Sequence, residues 1–341
     1  MNEWINRLPK IELHCHLDGC VRPQTVAEIS EREGIELSAD SLDELTSWMR
    51  VPPSCTSLVE YLKRFELPLQ CMQTPYALER IARELAEDAA YENVKYMEVR
   101  FAPHLHTRQG MTAAEVIASV GAGLAAAEKN ADIIVRMIVI CMRHHSVELN
   151  MEAVRAAAQF LSKGVVGVDL AGDEANYPPE LHESVFQLAD ELGIPVTIHA
   201  GEAGGANNIR TAVERLHARR IGHGVRLYED AEVAQLLRER NVPLEMCVTS
   251  NVQTKAVDSF EKHPIRLYLN RGIGVTVNTD NRTVSDTDLT KEYNLLSHRF
   301  QFKAADFKKV AVRAIEAAFV EPELKPQLLR KFQEEWEKLG I

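Results

Sequence analysis

Eight short runs rich in β-branched and apolar residues recur along this chain, separated by stretches of helical periodicity, and that alternation restricts the fold more than any other feature. The runs are Ile11–Leu17, Val94–Ala102, Asp132–Cys141, Val165–Leu170, Ile194–His199, Arg220–Gly222, Val242–Val248 and Gly274–Asn278. Strands that alternate with helices build parallel sheets, because each crossover returns the chain to the same edge before the next strand begins. Eight of them favour closure into an α/β (β/α)₈ barrel, a TIM barrel, over an open doubly wound sheet. Arg220–Gly222 is the weakest strand by propensity. A chain of 341 residues, 45% hydrophobic, can bury such a core, or it can form two ordinary domains. No repeat or Pro/Ser-rich linker marks a boundary, so one catalytic domain over residues 1–341 is the simpler expectation.

Between the first two runs lies an insertion, Val21–Asn93, too long for a single crossover helix. Its helix-like segments are Pro23–Glu33, Ser57–Met72 and Pro75–Tyr91, and they are expected to cap the mouth or the side of the barrel. After Asp280 the pattern is helical, with Asp288–Arg299, Ala304–Ala318 and Glu321–Leu339 carrying apolar positions at helical spacing.

The formal charge is 39 − 50 = −11, and no basic run or arm is present. Nucleic acid and anionic membrane surfaces are therefore disfavoured as partners, and a small molecule is expected. Six scattered cysteines without a Cys-x-x-Cys pair read as reduced thiols. The N-terminus lacks the apolar core of a signal peptide and no stretch is long enough to cross a bilayer, which together suggest a cytoplasmic protein.

Chemistry enters at the strand ends. In His14-Cys15-His16 the two imidazoles are spaced i, i+2, so on a strand they face the same way and can share one cation. His199 and Glu202 in His-Ala-Gly-Glu, and Asp280 in Asn-Thr-Asp-Asn, also sit where apolar strands end. The C-terminal ends of barrel strands form the active face in this architecture. Three imidazoles and a carboxylate, with room left for a water, suit zinc or another borderline divalent ion. Each residue also has a plainer reading: His14 and His16 as barrel filling, Glu202 as the start of a helix, Asp169 and Asp173 as turn residues or as partners of ligands. Glycines on both sides of His223 leave its imidazole little to pack against, which argues against a core role. His104, His106, His144, His145, His182, His217, His263 and His298 show no partner pattern and receive no role. The Pro-Cys-x-x-Cys pattern of cysteine-bound zinc deaminases, His-Glu-x-x-His, a phosphate loop and a Gly-x-Ser-x-Gly elbow are all absent, and strand four has no lysine to bridge two ions. A hydrolase with a single metal ion remains.

Taken together, Leu8–Gly19, Val168–Glu174, His199–Glu202, Arg220–Gly224, Thr249–Asn251 and Asn278–Asp280 resemble the adenosine deaminase family of metal-dependent amidohydrolases, in family order and across most of the chain. The resemblance implies one zinc ion held by His14, His16, His199 and Asp280. It further implies Glu202 as proton donor, His223 with Asp280 orienting the attacking water, and Gly172, His16 and Asp18 contacting the substrate, with Asp18 toward the ribose 5′-hydroxyl. Zinc lowers the pKa of a water toward ~7, and a protonated Glu202 at the purine N1 would stabilise attack at C6. One position departs from the family pattern, which has a second aspartate where this chain has Asn281; an amide can donate to purine N7 without a shifted pKa. The implied reaction converts adenosine and 2′-deoxyadenosine to inosine, deoxyinosine and ammonia in purine salvage. Adenine, or a 5′-altered nucleoside such as aminodeoxyfutalosine, is the alternative substrate. A catalytically silent nucleoside-binding barrel is the alternative from another class.

Overall fold

The structure, a computed structural model, describes residues 3–341. Eight parallel strands form it: β1 Lys10–His16, β2 Val94–Phe101, β3 Ile134–Met142, β4 Val165–Ala171, β5 Thr197–Ala200, β6 Arg220–His223, β7 Leu244–Met246 and β8 Val275–Val277. β1 to β4 pair in order, as do β5 to β8. Bridges Val168–Val196 and Cys15–Asp280 join the two sheets along both seams and close the barrel. The expected eight-stranded barrel is therefore the fold, and the resemblance that implied it holds at the level of architecture.

Strands β5, β7 and β8 are shorter than the apolar runs that predict them, and β5 ends one residue past its run, at Ala200. Pro195 and Pro243 precede two of them, and a residue without an N–H cannot extend a ladder as donor. Arg220–His223 is a strand despite its propensity, because neighbours on both sides pair with it. β2 is buried on both faces along its whole length, as expected of a strand wrapped by helices outside and packed side chains within.

The insertion holds helices Pro23–Glu33, Leu42–Met49, Leu58–Leu62, Glu66–Cys71 and Pro75–Tyr91. The single helix expected over Ser57–Met72 is two helices joined by a 3₁₀ turn at Lys63–Phe65. Pro68 accounts for part of this: it fits the first turn of Glu66–Cys71 but would break the interior of a longer helix. Leu42–Met49 was not expected; the Ser41 hydroxyl accepts the Glu44 N–H at 3.2 Å and starts it. The C-terminal helices run Leu289–Arg299, Ala304–Ala317 and Leu324–Lys338. Among the described residues no helix is long and apolar enough to cross a membrane.

Candidate metal and substrate site

The seam between β8 and β1 brings the first candidate residues together. His16 N–H donates to the Asp280 carbonyl at 2.8 Å, and Asp280 N–H donates to the His14 carbonyl at 2.9 Å. Asp280 thus enters the cluster by main-chain pairing with a segment far away in sequence. On the opposite side, β5 and β6 pair His199 with Gly222 and Ala200 with His223. A Cβ at Gly222 would lie 3.1 Å from His14 Cε1 and 3.2 Å from His199 Cα, so a glycine there gives the imidazoles their space. His223 and Asp280 both have left-handed backbones, at φ 61° and 63°. That conformation is uncommon for residues with a Cβ and clusters at functional sites.

Donor atoms of His14, His199, His223 and Asp280 lie within 4.8 Å of one another. His16 Nε2 stands beside them, 3.2 Å from His199 Nε2 and 3.3 Å from Asp280 Oδ1. The residues fit a cation. His14 Nδ1 is 2.8 Å from Glu245 Oε2 and His199 Nδ1 is 3.0 Å from Asp169 Oδ2, which turns the Nε2 lone pairs inward. His14 Nε2 is buried without a hydrogen-bond partner, as a ligand atom facing an ion would be. Burial and the nearby Arg100 and His199 lower His14 to a pKa of about 4, which keeps it neutral and able to ligate. Burial would raise Asp280, but the imidazoles of His14, His16 and His223 outweigh it and hold the carboxyl well below the usual range.

Behind the donor cluster lies an ionic core that the sequence reading missed. Arg100, fully buried, donates to Asp169 Oδ2 at 2.9 Å and to Glu245 Oε2 at 2.8 Å, so one guanidinium ties together the carboxylates behind His199 and His14. Arg220 completes the layer, 2.6 Å from Glu245 Oε1 and 2.5 Å from Glu98 Oε2. Charged residues inside otherwise apolar strands were the available signal, since unpaired charges are almost never buried. Asp169, read either as a turn residue or as a ligand's partner, bonds His199.

Glu202 points into the site with Oε2 3.6 Å from His223 Nε2, while its Oε1 accepts the Thr254 hydroxyl at 2.9 Å. Burial raises its pKa, and the His223 charge opposes that rise. Ser250 donates to Asp280 Oδ2 at 2.5 Å and the Asn251 amide meets His223 Nδ1 at 2.9 Å, so both residues hold cluster members from the helix that follows β7. Above the cluster is a cavity of about 250 Å³. His16, Asp18, Gly172, His199, Glu202, His223, Asp280 and Asn281 all line it, so of the sequence-predicted site residues only His14 lies beneath its floor. Leu58, Tyr61, Leu62, Phe65 and Leu69 of the insertion cover it, and neither lysine nor arginine lines it. Asp18 Oδ1 and Asn281 Oδ1 are buried there without partners, and burial pushes the Asp18 carboxyl up to about 7. Two larger grooves, of about 880 and 1000 Å³, lie away from the donors, one of them against the N-terminal ends of β6 and β7.

Comparison with known proteins agrees with this geometry. An adenosine deaminase of Clostridium perfringens is 46% identical over 321 residues, covering 94% of this chain and 97% of that one. Among solved structures, the adenine deaminase of Arthrobacter aurescens superposes with a TM-score of 0.90 at 30% identity, covering 97% and 99%. An amidohydrolase of Burkholderia ambifaria with bound Zn superposes with a TM-score of 0.88 at 25% identity, covering 99% and 94%. The sequence model of the adenosine deaminase family matches residues 9–335, so with nearly its whole length accounted for the chain belongs to that family.

Proposed function

We propose that this protein hydrolyses adenosine and 2′-deoxyadenosine to inosine, deoxyinosine and ammonia, with zinc held by His14, His16, His199 and Asp280. The observation that carries the reading is a buried His/Asp donor cluster set beside the raised-pKa carboxyl of Glu202, at the floor of a mostly apolar cavity of about 250 Å³. When bound, the ion supplies the Lewis acidity that makes a water nucleophilic near neutral pH. The Zn-containing relative supports zinc as its identity.

The chain's own residues do the rest. Protonated Glu202 gives its proton to purine N1 as water adds to C6 and passes a proton to His223; that proton then leaves with the C6 amine as ammonia, while the C6 hydroxyl proton returns to Glu202 as the carbonyl forms. Thr254 holds one Glu202 oxygen, leaving the other toward the reacting ring. His223, fixed by Asn251, and Asp280, fixed by Ser250, orient the water over C6. The insertion's apolar side chains exclude bulk water, which strengthens each of these polar contacts. Gly172 meets the purine through its backbone, and the Asn281 amide donates to N7. Asp18 accepts from the ribose 5′-hydroxyl. The lack of a cation in the cavity, with Asp18 and Asp173 on its wall, disfavours a 5′-phosphate. Free thiols at all six cysteines support a reducing, cytoplasmic setting.

The test is ultraviolet-monitored deamination by metal-quantified protein of adenosine, 2′-deoxyadenosine, adenine, AMP and a 5′-substituted adenosine, before and after chelation. Fast turnover of the two nucleosides, lost with the ion and restored by zinc, is expected. Turnover confined to adenine would transfer the site to the activity named for the Arthrobacter relative. A second expected outcome concerns Asn281→Ala, which should lower kcat/KM by about 10-fold or more, the worth of one hydrogen bond of ~1–2 kcal/mol, with metal content unchanged. Unaltered kcat/KM would remove Asn281 from substrate recognition.

A further inference from the structure

The turn that carries Glu202 is held by one carboxylate. Four consecutive main-chain N–H groups point at Glu174: Gly201 donates to Oε1 at 2.7 Å, and Glu202, Ala203 and Gly204 donate to Oε2 at 3.0, 2.8 and 2.8 Å. The Asn208 amide adds a fifth bond, to Oε1 at 3.0 Å. Glu174 is 3% exposed, so these bonds replace its hydration almost entirely. Convergent main-chain N–H groups form a concave anion site, and hydrogen bonds to an ionised acceptor are about twice as strong as neutral ones.

We propose that Glu174 is a positioning residue for the reaction: it fixes the turn after β5 so that Glu202 meets the substrate ring. The proposal rests on the reading of Glu202 as proton donor. A turn containing Gly201 at φ 71°, followed by Gly204 and Gly205, has little conformational preference of its own. The carboxylate supplies what the sequence of the turn does not. Helix capping does not explain it, because the N–H groups it binds precede the helix Ala206–Glu214, and Ala206 N–H donates instead to Glu229 at 3.4 Å. Glu174 also follows Gly172 and Asp173 of the cavity wall, so the wall and the proton-donor turn are joined through a single side chain. Arg143 adds to the joint, donating to the Tyr177 and His199 carbonyls, each at 2.6 Å.

The space around the clamp permits a second, gentler perturbation. A Cβ at Gly204 would stand 2.1 Å from Asn208 Nδ2 and 2.7 Å from Glu174 Oε1, both at the ends of side chains that can move aside. Gly204→Ala therefore displaces the carboxylate without removing its charge.

The experiment measures kcat and KM for adenosine, bound metal, and inosine affinity for the parent, Glu174→Gln and Gly204→Ala. Glutamine keeps the volume but sets an NH₂ group against N–H donors. For it we expect kcat to fall about 10²-fold, the scale set by misplacing a reacting group by about 1 Å, with KM within about threefold. Gly204→Ala should lose at least about 10-fold in kcat on the same basis. Metal content and inosine affinity should not change in either. If Glu174→Gln does not fold, Gly204→Ala decides alone. Variants with kcat within about twofold of an active parent, or a loss confined to KM or to metal content, would overturn the proposal. An inactive parent would instead overturn the functional reading, and this proposal with it.

Discussion

Glu202→Gln is expected to reduce kcat for adenosine by about 10²–10⁴-fold, the usual worth of a positioned general acid, and to leave the metal content unchanged. Glutamine retains the shape and can still accept the Thr254 hydroxyl at the position Glu202 Oε1 occupies now. It lacks the carboxyl proton, whose retention burial favours. A loss of this size with KM little altered would mean that the group acts in the transition state rather than in binding. A variant retaining more than a tenth of the parent kcat would show that another group protonates the ring. Steady-state kinetics with metal quantification of the same preparation separates these results.

Arg100→Met is expected to destabilise the protein by about 3–5 kcal/mol, because it strands the buried carboxylates of Asp169 and Glu245. Both are fully buried, and both owe their low pKa to cationic partners: burial works against each, while His199 and Arg100 pull Asp169 down and Arg100 with Arg220 pulls Glu245 down. The same change frees the acceptors that orient His199 and His14, and loss of such a partner costs about 10–100-fold in metal affinity. Denaturant unfolding, with metal titration by competition against a chelator, measures both effects. A stability change under about 1 kcal/mol with unaltered affinity would show that Arg220 for Glu245 and His199 for Asp169 sustain the carboxylates without it.

The strand ends that carry the donor cluster were legible because strand periodicity is local. His14 and His16 two apart, and His199, Glu202 and Asp280 after apolar runs, carry their geometry in a few neighbouring residues. The ionic layer beneath them was not legible, since Arg100 finds Glu245 across the barrel at a separation of 145 residues and no local pattern encodes that pairing. Glu174 was visible only as one letter of a motif, because four of its five partners are main-chain N–H groups, to which the side chains of residues 201–204 contribute nothing. The insertion was legible as helical, yet its break at Lys63–Phe65 and the helix at Leu42–Met49 escaped. The second could have been found from Ser41 followed by Glu44, a helix-start pairing. Asn281 stood out against the family pattern, and in the structure its amide closes on Gly19, where a Cβ would lie 1.9 Å from Oδ1.

The seam between β8 and β1 bears on how the molecule is made. Leu13 N–H and the Asn278 side chain meet across 265 residues, and Asp280 joins His14 and His16 only there. Contacts of such separation form late, because the closure entropy of a long loop must be met before they contribute anything. During synthesis, therefore, the ribosome must release β8 before the donor cluster is complete, and no N-terminal fragment ending before Asp280 carries the four donors of the full chain. Under the proposed function, metal capture would report that the ring has closed.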